Sequence, residues 1–237
     1  MSKITVTTIA GQTSGGDANK VIIESGDTLQ VDSNATVGGT LGVTGAAAFD
    51  SYITTTGVYG KTDANSGIQF DGSDVVTLHT GGTEHMRINA EGLVTKPLQC
   101  CFMAQPTSLQ SNLAVAGSGV NIDLGTERFD VGGDFASNTF TAPVTGKYAL
   151  HALFYMNAVD SGTTYYEFTI KTSNRNYGLV VYVGAGGSTD HAYATWSSSV
   201  IADMDASDTA YLHYYQAGGT QQTDVSTGTY FMGYLLG

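Results

Sequence analysis

The side chains able to do chemistry in this 237-residue chain are histidines, carboxylates, two cysteines and a large stock of tyrosines. The five histidines, His79, His85, His151, His191 and His213, are scattered, and only the first two lie close in sequence. Their six-residue spacing lacks the tight His-x-His arrangement that gathers a metal on a threefold axis. Acid clusters occur at Asp203, Asp205 and Asp208, and at Asp123, Glu127, Asp130 and Asp134. Hard oxygen donors of this kind suit calcium, whereas turn-forming Asp on a solvated face accounts for the same residues without any ion. No cofactor is therefore expected, with calcium as the single alternative. Cys100 and Cys101 are neighbours and cannot staple distant segments, so two free, buried thiols are expected. The chain carries no Gly-x-Ser-x-Gly elbow, P-loop, His-Glu-x-x-His or Cys-x-x-Cys. Glycoside cleavage would need two carboxylates about 5–10 Å apart in a groove, and no motif singles out such a pair. A binding protein is expected, not an enzyme.

Aromatic side chains point the same way. Tyr155, Tyr165, Tyr177, Tyr182, Tyr193, Trp196, Tyr211, Tyr214 and Tyr215 crowd the second half of the chain, and such rings stack on sugars while their polar ends hydrogen-bond. Most should serve a core or a contact between chains, leaving a minority for ligand. Binding residues gather on loops carried by a rigid scaffold, which selects the polar stretches 157–163, 172–177, 184–190 and 216–224. Within them and at their edges, Asn157, Asp160, Asn174, Asn176, Tyr177, Asp190, Tyr215 and Gln221 are the expected receptor contacts.

These side chains must be positioned by strands. With 31 Gly, 32 Thr and 19 Ser against 13% charged residues, the composition is rich in small, β-compatible residues and disfavours helical bundles. A net charge of −12 opposes counterion release from a phosphate backbone, so nucleic acid is excluded as a partner. No stretch approaches the roughly 20 apolar residues that span a bilayer, and the opening Met1-Ser2-Lys3-Ile4-Thr5-Val6-Thr7 alternates where an export signal would be apolar.

Aromatic mass divides the chain. Residues 1–99 hold Phe49, Tyr52, Tyr59 and Phe70, and the remaining 20 of the 24 aromatics follow. The first part reads as short strands at 4–9, 20–24, 28–31, 36–43, 51–58, 67–70, 75–79 and 86–88, with a Thr-Leu-x-Val core repeated at 28–31 and 40–43. Such strands bury one small side chain at a time; three chains around one axis would bury what one cannot. The alternative is a loosely ordered Gly/Thr/Ser linker. Lys96-Pro97 marks the boundary, because proline holds its predecessor extended. Beyond it, period-two alternation predicts strands at 102–104, 119–124, 135–141, 147–156, 164–171, 178–183, 192–202, 209–215 and 229–236, the pattern of a β-sandwich or jelly roll. In 147–156 one face is Tyr148, Leu150, Ala152, Phe154 and Met156. The other face, Ala149, His151, Leu153 and Tyr155, is too apolar for open solvent.

Two resemblances sharpen this. Val-Gly-Gly-Thr-Leu-Gly-Val-Thr-Gly at 37–45, followed by Gly82-Thr83-Glu84-His85-Met86-Arg87-Ile88-Asn89-Ala90-Glu91-Gly92-Leu93-Val94, resembles the shaft segments of tailed-phage fibres, including cyanophage and marine-phage fibres, which carry such a phrase before terminal knobs. Read residue by residue, 84–88 is a strand, 89–92 a turn, and 93–94 the return strand of a hairpin. The second half resembles the globular head of complement-type proteins, a jelly roll of tumour-necrosis-factor shape. Its signals are Phe129-Asp130, Gly133-Asp134-Phe135, the run Phe140-Thr141-Ala142-Pro143-Val144-Thr145-Gly146-Lys147-Tyr148, and the terminal Phe231-Met232-Gly233-Tyr234-Leu235-Leu236. Where that family has Leu-x-x-Gly-Asp-x-Val, this chain has Met204-Asp205-Ala206-Ser207-Asp208-Thr209-Ala210, with only Asp208 identical.

The resemblances imply an all-β homotrimer: residues 1–30 attach to a virion, 31–99 form a β-structured trimeric stem, and 100–237 form a jelly-roll receptor-binding head. Tyr148, Leu150, Phe231, Tyr234 and Leu236 are expected on the trimer axis. The expected partners are further copies of the chain, other virion proteins, and a host surface glycan or outer-membrane protein. A head fibre or capsid decoration protein is the nearest alternative. A secreted lectin and a short polysaccharide depolymerase are the more distant ones.

Overall fold

A computed structural model describes residues 37, 41–43, 47, 53, 55–60, 62–72, 74–183 and 189–237, in two compact units that divide between Thr54 and Thr55. The expected attachment segment 1–30, the strands at 4–9, 20–24 and 28–31, and the first Thr-Leu-x-Val copy lie outside the described residues. Of the strand expected at 36–43, Val37, Leu41, Gly42 and Val43 are described and belong to no strand. Strand propensity counts for nothing without a partner to accept the backbone hydrogen bonds, and these residues pair with none of those described.

Every regular element among the described residues is a β-strand. The first five, β1 (Gly57–Tyr59), β2 (Gly67–Phe70), β3 (Val76–Thr80), β4 (Thr83–Ile88) and β5 (Val94–Thr95), form one antiparallel sheet in chain order. The hairpin expected from the fibre-like phrase is present: Ile88 pairs with Val94 and Arg87 with Thr95 across a turn in which Gly92 has φ of 79°. Glu84 and Arg87 form a two-pronged ion pair at 2.5 and 2.9 Å. This sheet buries a threonine, Thr77, whose hydroxyl donates to Asp71 at 2.9 Å. Among its large apolar side chains Val58, Ile68, Phe70, Leu78 and Val94 stay exposed, while Val76, Met86 and Ile88 are half-buried.

Residues 100–237 build two further sheets that share one core. The first runs β14 (His191–Met204), β11 (Gly146–Val159), β17 (Tyr230–Leu235), β6 (Cys101–Gln105), β8 (Thr126–Val131), with β16 (Asp224–Val225) beside β11. The second runs β13 (Asn176–Val181), β12 (Tyr165–Thr172), β15 (Thr209–Ala217), β10 (Thr139–Thr141), β9 (Phe135–Ala136), with β7 (Val120–Asn121) beside β15. The chain passes back and forth between the sheets: β6, then β7, then β8, then β9–β10, then β11, then β12–β13, then β14, then β15, then β16–β17. That alternation makes a jelly roll, as the strand pattern and the complement-head resemblance predicted.

The inward face is set by period-two spacing. Tyr148, Leu150, Phe154 and Met156 of β11, and Tyr166, Phe168 and Ile170 of β12, are fully buried. Phe102 stacks on Phe140 and Phe135, with ring centroids 4.6 and 5.1 Å apart, and Phe168 packs on Trp196 and Phe154 at 4.8 and 4.9 Å. Each such ring contributes about 1.5–3 kcal/mol through burial. The Tyr148 hydroxyl donates to the Val144 carbonyl at 2.7 Å, which fixes the turn after Pro143. Gly233 stands between Leu150 and Phe102 in neighbouring strands. A Cβ there would lie 2.7 Å from Leu150 Cδ2 and 2.9 Å from Phe102 Cε1.

Four points depart from expectation. The strand expected at 135–141 is the hairpin β9–β10, because Ser137 and Asn138 both adopt positive φ (50° and 66°), the geometry of a tight hairpin turn. β8 was not anticipated, since Glu127, Arg128 and Asp130 mask its pattern; charge on an edge strand is how sheets avoid pairing with strangers. Tyr148, Leu150 and Phe231, expected on a trimer axis, are fully buried within the single chain. Their faces point between the two sheets, where one chain already covers them. Both thiols are free, as expected, but only Cys100 is buried and Cys101 is half-exposed, because adjacent strand residues face opposite ways. Burial, aided by a hydrogen bond to Asp134, pushes the Cys100 thiol up to about 12.

Candidate functional site

The outer face of the second sheet carries the most varied chemistry. Along β12, Tyr166, Phe168 and Ile170 face inward, so Tyr165, Glu167, Thr169 and Lys171 face outward. Register places Tyr215, His213 and Tyr211 of β15 opposite Glu167, Thr169 and Lys171. On the other side, β13 sets Gly178 opposite Thr169 and Asn176 opposite Lys171. The result is a groove of about 330 Å³ between Tyr165, Tyr215, Glu167, Lys171, Asn176 and His213, closed at one side by Gly117 and Ser118. Gly178 keeps its floor open, because a Cβ there would lie 2.8 Å from Glu167 Oε1. The Tyr165 ring leans on those of Tyr215 and Tyr182, at centroid distances of 5.8 and 6.1 Å.

The groove's electrostatics follow from its packing. His213 is 7% exposed and donates from Nε2 to the Ser118 carbonyl at 2.9 Å. Burial, reinforced by the nearby Lys171 ammonium, holds its pKa below the ordinary histidine value, so the ring is neutral at pH 7. The Tyr165 hydroxyl is pushed above its usual value by burial, then by Tyr215 and Glu167. Thr169 donates to Glu167 Oε1 at 3.2 Å. Glu167 and Lys171 are the two charges lining the groove, and they are opposite. What the groove offers is aromatic rings, hydroxyls, an amide and one charge of each sign: the chemistry of binding.

The loops chosen from sequence separate into two groups. At one end of β12, Asp160 is 5% exposed and accepts from the Gly162 amide at 2.7 Å and from the Thr220 amide. It ties two loops together and is not available to a receptor, which corrects its assignment. Asp190 is exposed and accepts from the Ser161 amide and hydroxyl at 2.9 Å and from Gln222 at 2.8 Å. Those bonds hold its carboxyl below the usual range. Gln221 is exposed and donates to the Asn112 carbonyl at 2.7 Å. Asn157 is half-buried in β11, and its Oδ1 has no partner among the described residues. At the other end, Asn174 is exposed but donates to Asp208 at 2.5 Å. Tyr177 is half-buried and packs on the core. Asn176 and Tyr215 alone, of the eight, line the groove. Residues 184–188 of the fourth loop lie outside the described residues.

The acid clusters are engaged in similar local bonds. Asp208 accepts from Ser173 at 2.6 Å and from the Asp205 amide at 2.7 Å, and these contacts lower its pKa. Lys147 pairs with Asp203, and Asp130 accepts from the amides of Asp134 and Phe135. Among the described residues, no group of three or more His, Cys, Asp or Glu is arranged to hold a metal ion.

The outer face of the first sheet is different in kind. Tyr193 and Ile201 of β14, Tyr234 of β17 and Leu236 just beyond it are 67%, 65%, 40% and 48% exposed. His151 stacks on Tyr234 at 6.2 Å and bonds to Ser199 at 2.9 Å. Ile201, Tyr234, Leu236, His151 and Ser199 surround a shallow, largely apolar depression of about 260 Å³ with Ala149 as part of its lining, while Tyr193 lies further along β14 against Tyr155. Tyr234 and Leu236, of the five residues expected on a trimer axis, lie here.

Selecting loops passed over Tyr165, Glu167, Lys171, Ser118 and His213. The signal for three of them was already visible, because the outward face of 164–171 mixes rings with both charges. Ser118 and His213 join only through the β7–β15 pairing.

No family model matches the chain, and no curated protein matches it. Among solved structures, it is similar to the globular domain of zebrafish complement 1qA protein, at 12% identity and a TM-score of 0.41 over 59% of this chain and 98% of that one. Murine APRIL at pH 8.5 gives 15% and 0.41 over 58% and 99%, and rabbit GITRL gives 12% and 0.37 over 58% and 94%. The order of the strands, crossing repeatedly between two sheets, is by itself what makes residues 100–237 a jelly roll.

Proposed function

We propose that this chain is a non-enzymatic fibre protein of a phage virion, a homotrimer whose jelly-roll head binds a host surface glycan. The observation that carries the reading is the exposed apolar face formed by Ile201, Tyr234 and Leu236 around Ala149 on the first sheet. A contiguous patch of this kind marks an interaction surface, and three copies around an axis close on themselves without leaving a sheet edge open. The β1–β5 sheet supports the same assembly, since Val58, Ile68, Phe70, Leu78 and Val94 stand exposed on it. The virion placement rests on the fibre-like phrase at 82–94, with residues 1–30 as the attachment segment and 31–99 as the stem. Three heads per fibre convert weak contacts into firm attachment by raising effective concentration.

Light scattering on the full chain is expected to give about three times the 24.7 kDa chain mass, and a monomer overturns the reading. Ile201→Lys is expected to dissociate the trimer while leaving the fold intact by circular dichroism. Gold-labelled antibody on intact particles is expected at the tail; a signal spread over the capsid would instead make this a decoration protein.

A further inference from the structure

We propose that the groove on the outer face of the second sheet, between Tyr165 and Tyr215, takes one neutral hexopyranose unit of a glycan. The proposal rests on the glycan-binding reading above and locates it on strands where the sequence pointed to loops. Charge selects the ligand class first. Glu167 and Lys171 cancel, His213 is neutral with its Nε2 proton committed to Ser118, and the whole chain carries −12. An anionic sugar would meet both the Glu167 carboxylate and an unfavourable long-range field. A cationic ligand would meet Lys171.

Hydrogen-bonding capacity selects next. Thr169 occupies Glu167 Oε1, and Oε2 makes no hydrogen bond among the described residues. Lys171 likewise has no ion-pair partner among them. A carboxylate oxygen accepts from a sugar hydroxyl, and an ammonium or the Asn176 amide donates to its neighbour. That is the alternation of donors and acceptors that adjacent ring hydroxyls present. Tyr165 and Tyr215 supply aromatic surface for the apolar C–H face of the ring, and hydroxyls at its edge. The volume, about 330 Å³, sits at the small end of ligand sites, which run from about 300 to 1,000 Å³. Five of the six residues belong to β12 and β15, which pair over eight positions from Tyr165 to Thr172, so the site is held by rigid backbone.

Saturation-transfer NMR on the full chain, with galactose, glucose, mannose, N-acetylglucosamine and glucuronic acid as probes, tests this. At least one neutral sugar is expected to receive transfer and glucuronic acid to receive none. Glu167→Gln and Tyr215→Ala are each expected to weaken that titration about tenfold or more, with an unchanged melting curve. Neutral-sugar binding that is unaltered in both variants overturns the groove while leaving the glycan reading intact. Preference for glucuronic acid overturns the neutral-ligand assignment. If no probe receives transfer in a chain that still scatters as a trimer, the groove and the glycan reading fall together and the trimeric fibre stands.

Discussion

The β1–β5 sheet and the jelly roll are built from the same kinds of strand, yet one buries a threonine and the other a continuous aromatic core. β2 and β12 illustrate the difference. Phe70 in β2 is 45% exposed, whereas Phe168 in β12 is fully buried between Phe154, Trp196, Tyr166 and Tyr214. Strand formation is a local matter of propensity and pairing; burial needs a second layer facing the first. The jelly roll supplies that layer from its own chain. The β1–β5 sheet, in contrast, leaves Val58, Ile68, Phe70, Leu78 and Val94 exposed.

The sharpest way to break this comparison is to truncate the two phenylalanines in turn. Phe168→Ala is expected to cost about 3–5 kcal/mol in chemical unfolding of the jelly roll. Phe70→Ala, in the Ile201→Lys background expected to dissociate the proposed trimer, should cost under about 1 kcal/mol; equal losses would mean that the sheet has a core of its own. Gly233→Val should destabilise the jelly roll by about 1–3 kcal/mol, because the added side chain meets Leu150 and Phe102.

Ser207→Gly sharpens the comparison from the opposite side. Ser207 stands where the complement-head pattern has glycine, and its φ is 77°. A side chain in that region costs about 1–2 kcal/mol, and glycine returns part of this through unfolded-chain entropy. A gain of about 0.5–1 kcal/mol is expected.

The smallest effects are electrostatic. Glu84 in the sheet, and Asp190 and Asp208 in the jelly roll, all have lowered pKa values. A depressed carboxylate pKa favours the ionised group in the folded state. Its contribution is fully present above the ordinary values, 4.5 for Glu and 3.8 for Asp, and is lost as pH falls through the folded value. Glu84 owes its shift to the Arg87 charge and hydrogen bond, while Asp208 owes its shift to Ser173, the Asp205 amide and Asn174. Added salt should therefore flatten the acid dependence of amide shifts near Glu84 and leave those near Asp208 unchanged.

Several elements could be read directly from residue order. The hairpin at 84–94 announced itself by a strand, an Asn-to-Gly turn and a return strand. The two faces of β11 and β12 followed from alternation. β8 escaped because its charges hide the period, and β9–β10 because the left-handed pair Ser137–Asn138 contains no glycine to signal a turn. At the groove, Asn176 was chosen from within a loop stretch and Tyr215 from the edge of one, and both sit on strands. Asp160 was chosen by the same rule, but its carboxylate is spent on amides of two loops.

By itself, then, the sequence determined which residues alternate, where aromatic mass begins, and that the regular elements are strands. These are properties of neighbours, fixed by steric preference and side-chain size. Only the tertiary structure decided which strands pair and which of two apolar faces a single chain covers. It placed Tyr148, Leu150 and Phe231 inside and left Tyr234 and Leu236 outside. It also brought Ser118, Glu167 and His213 to one groove from three separate strands and loops. Pairing depends on partners far apart in the chain, and a face shows no sign of its cover until the second sheet is in place.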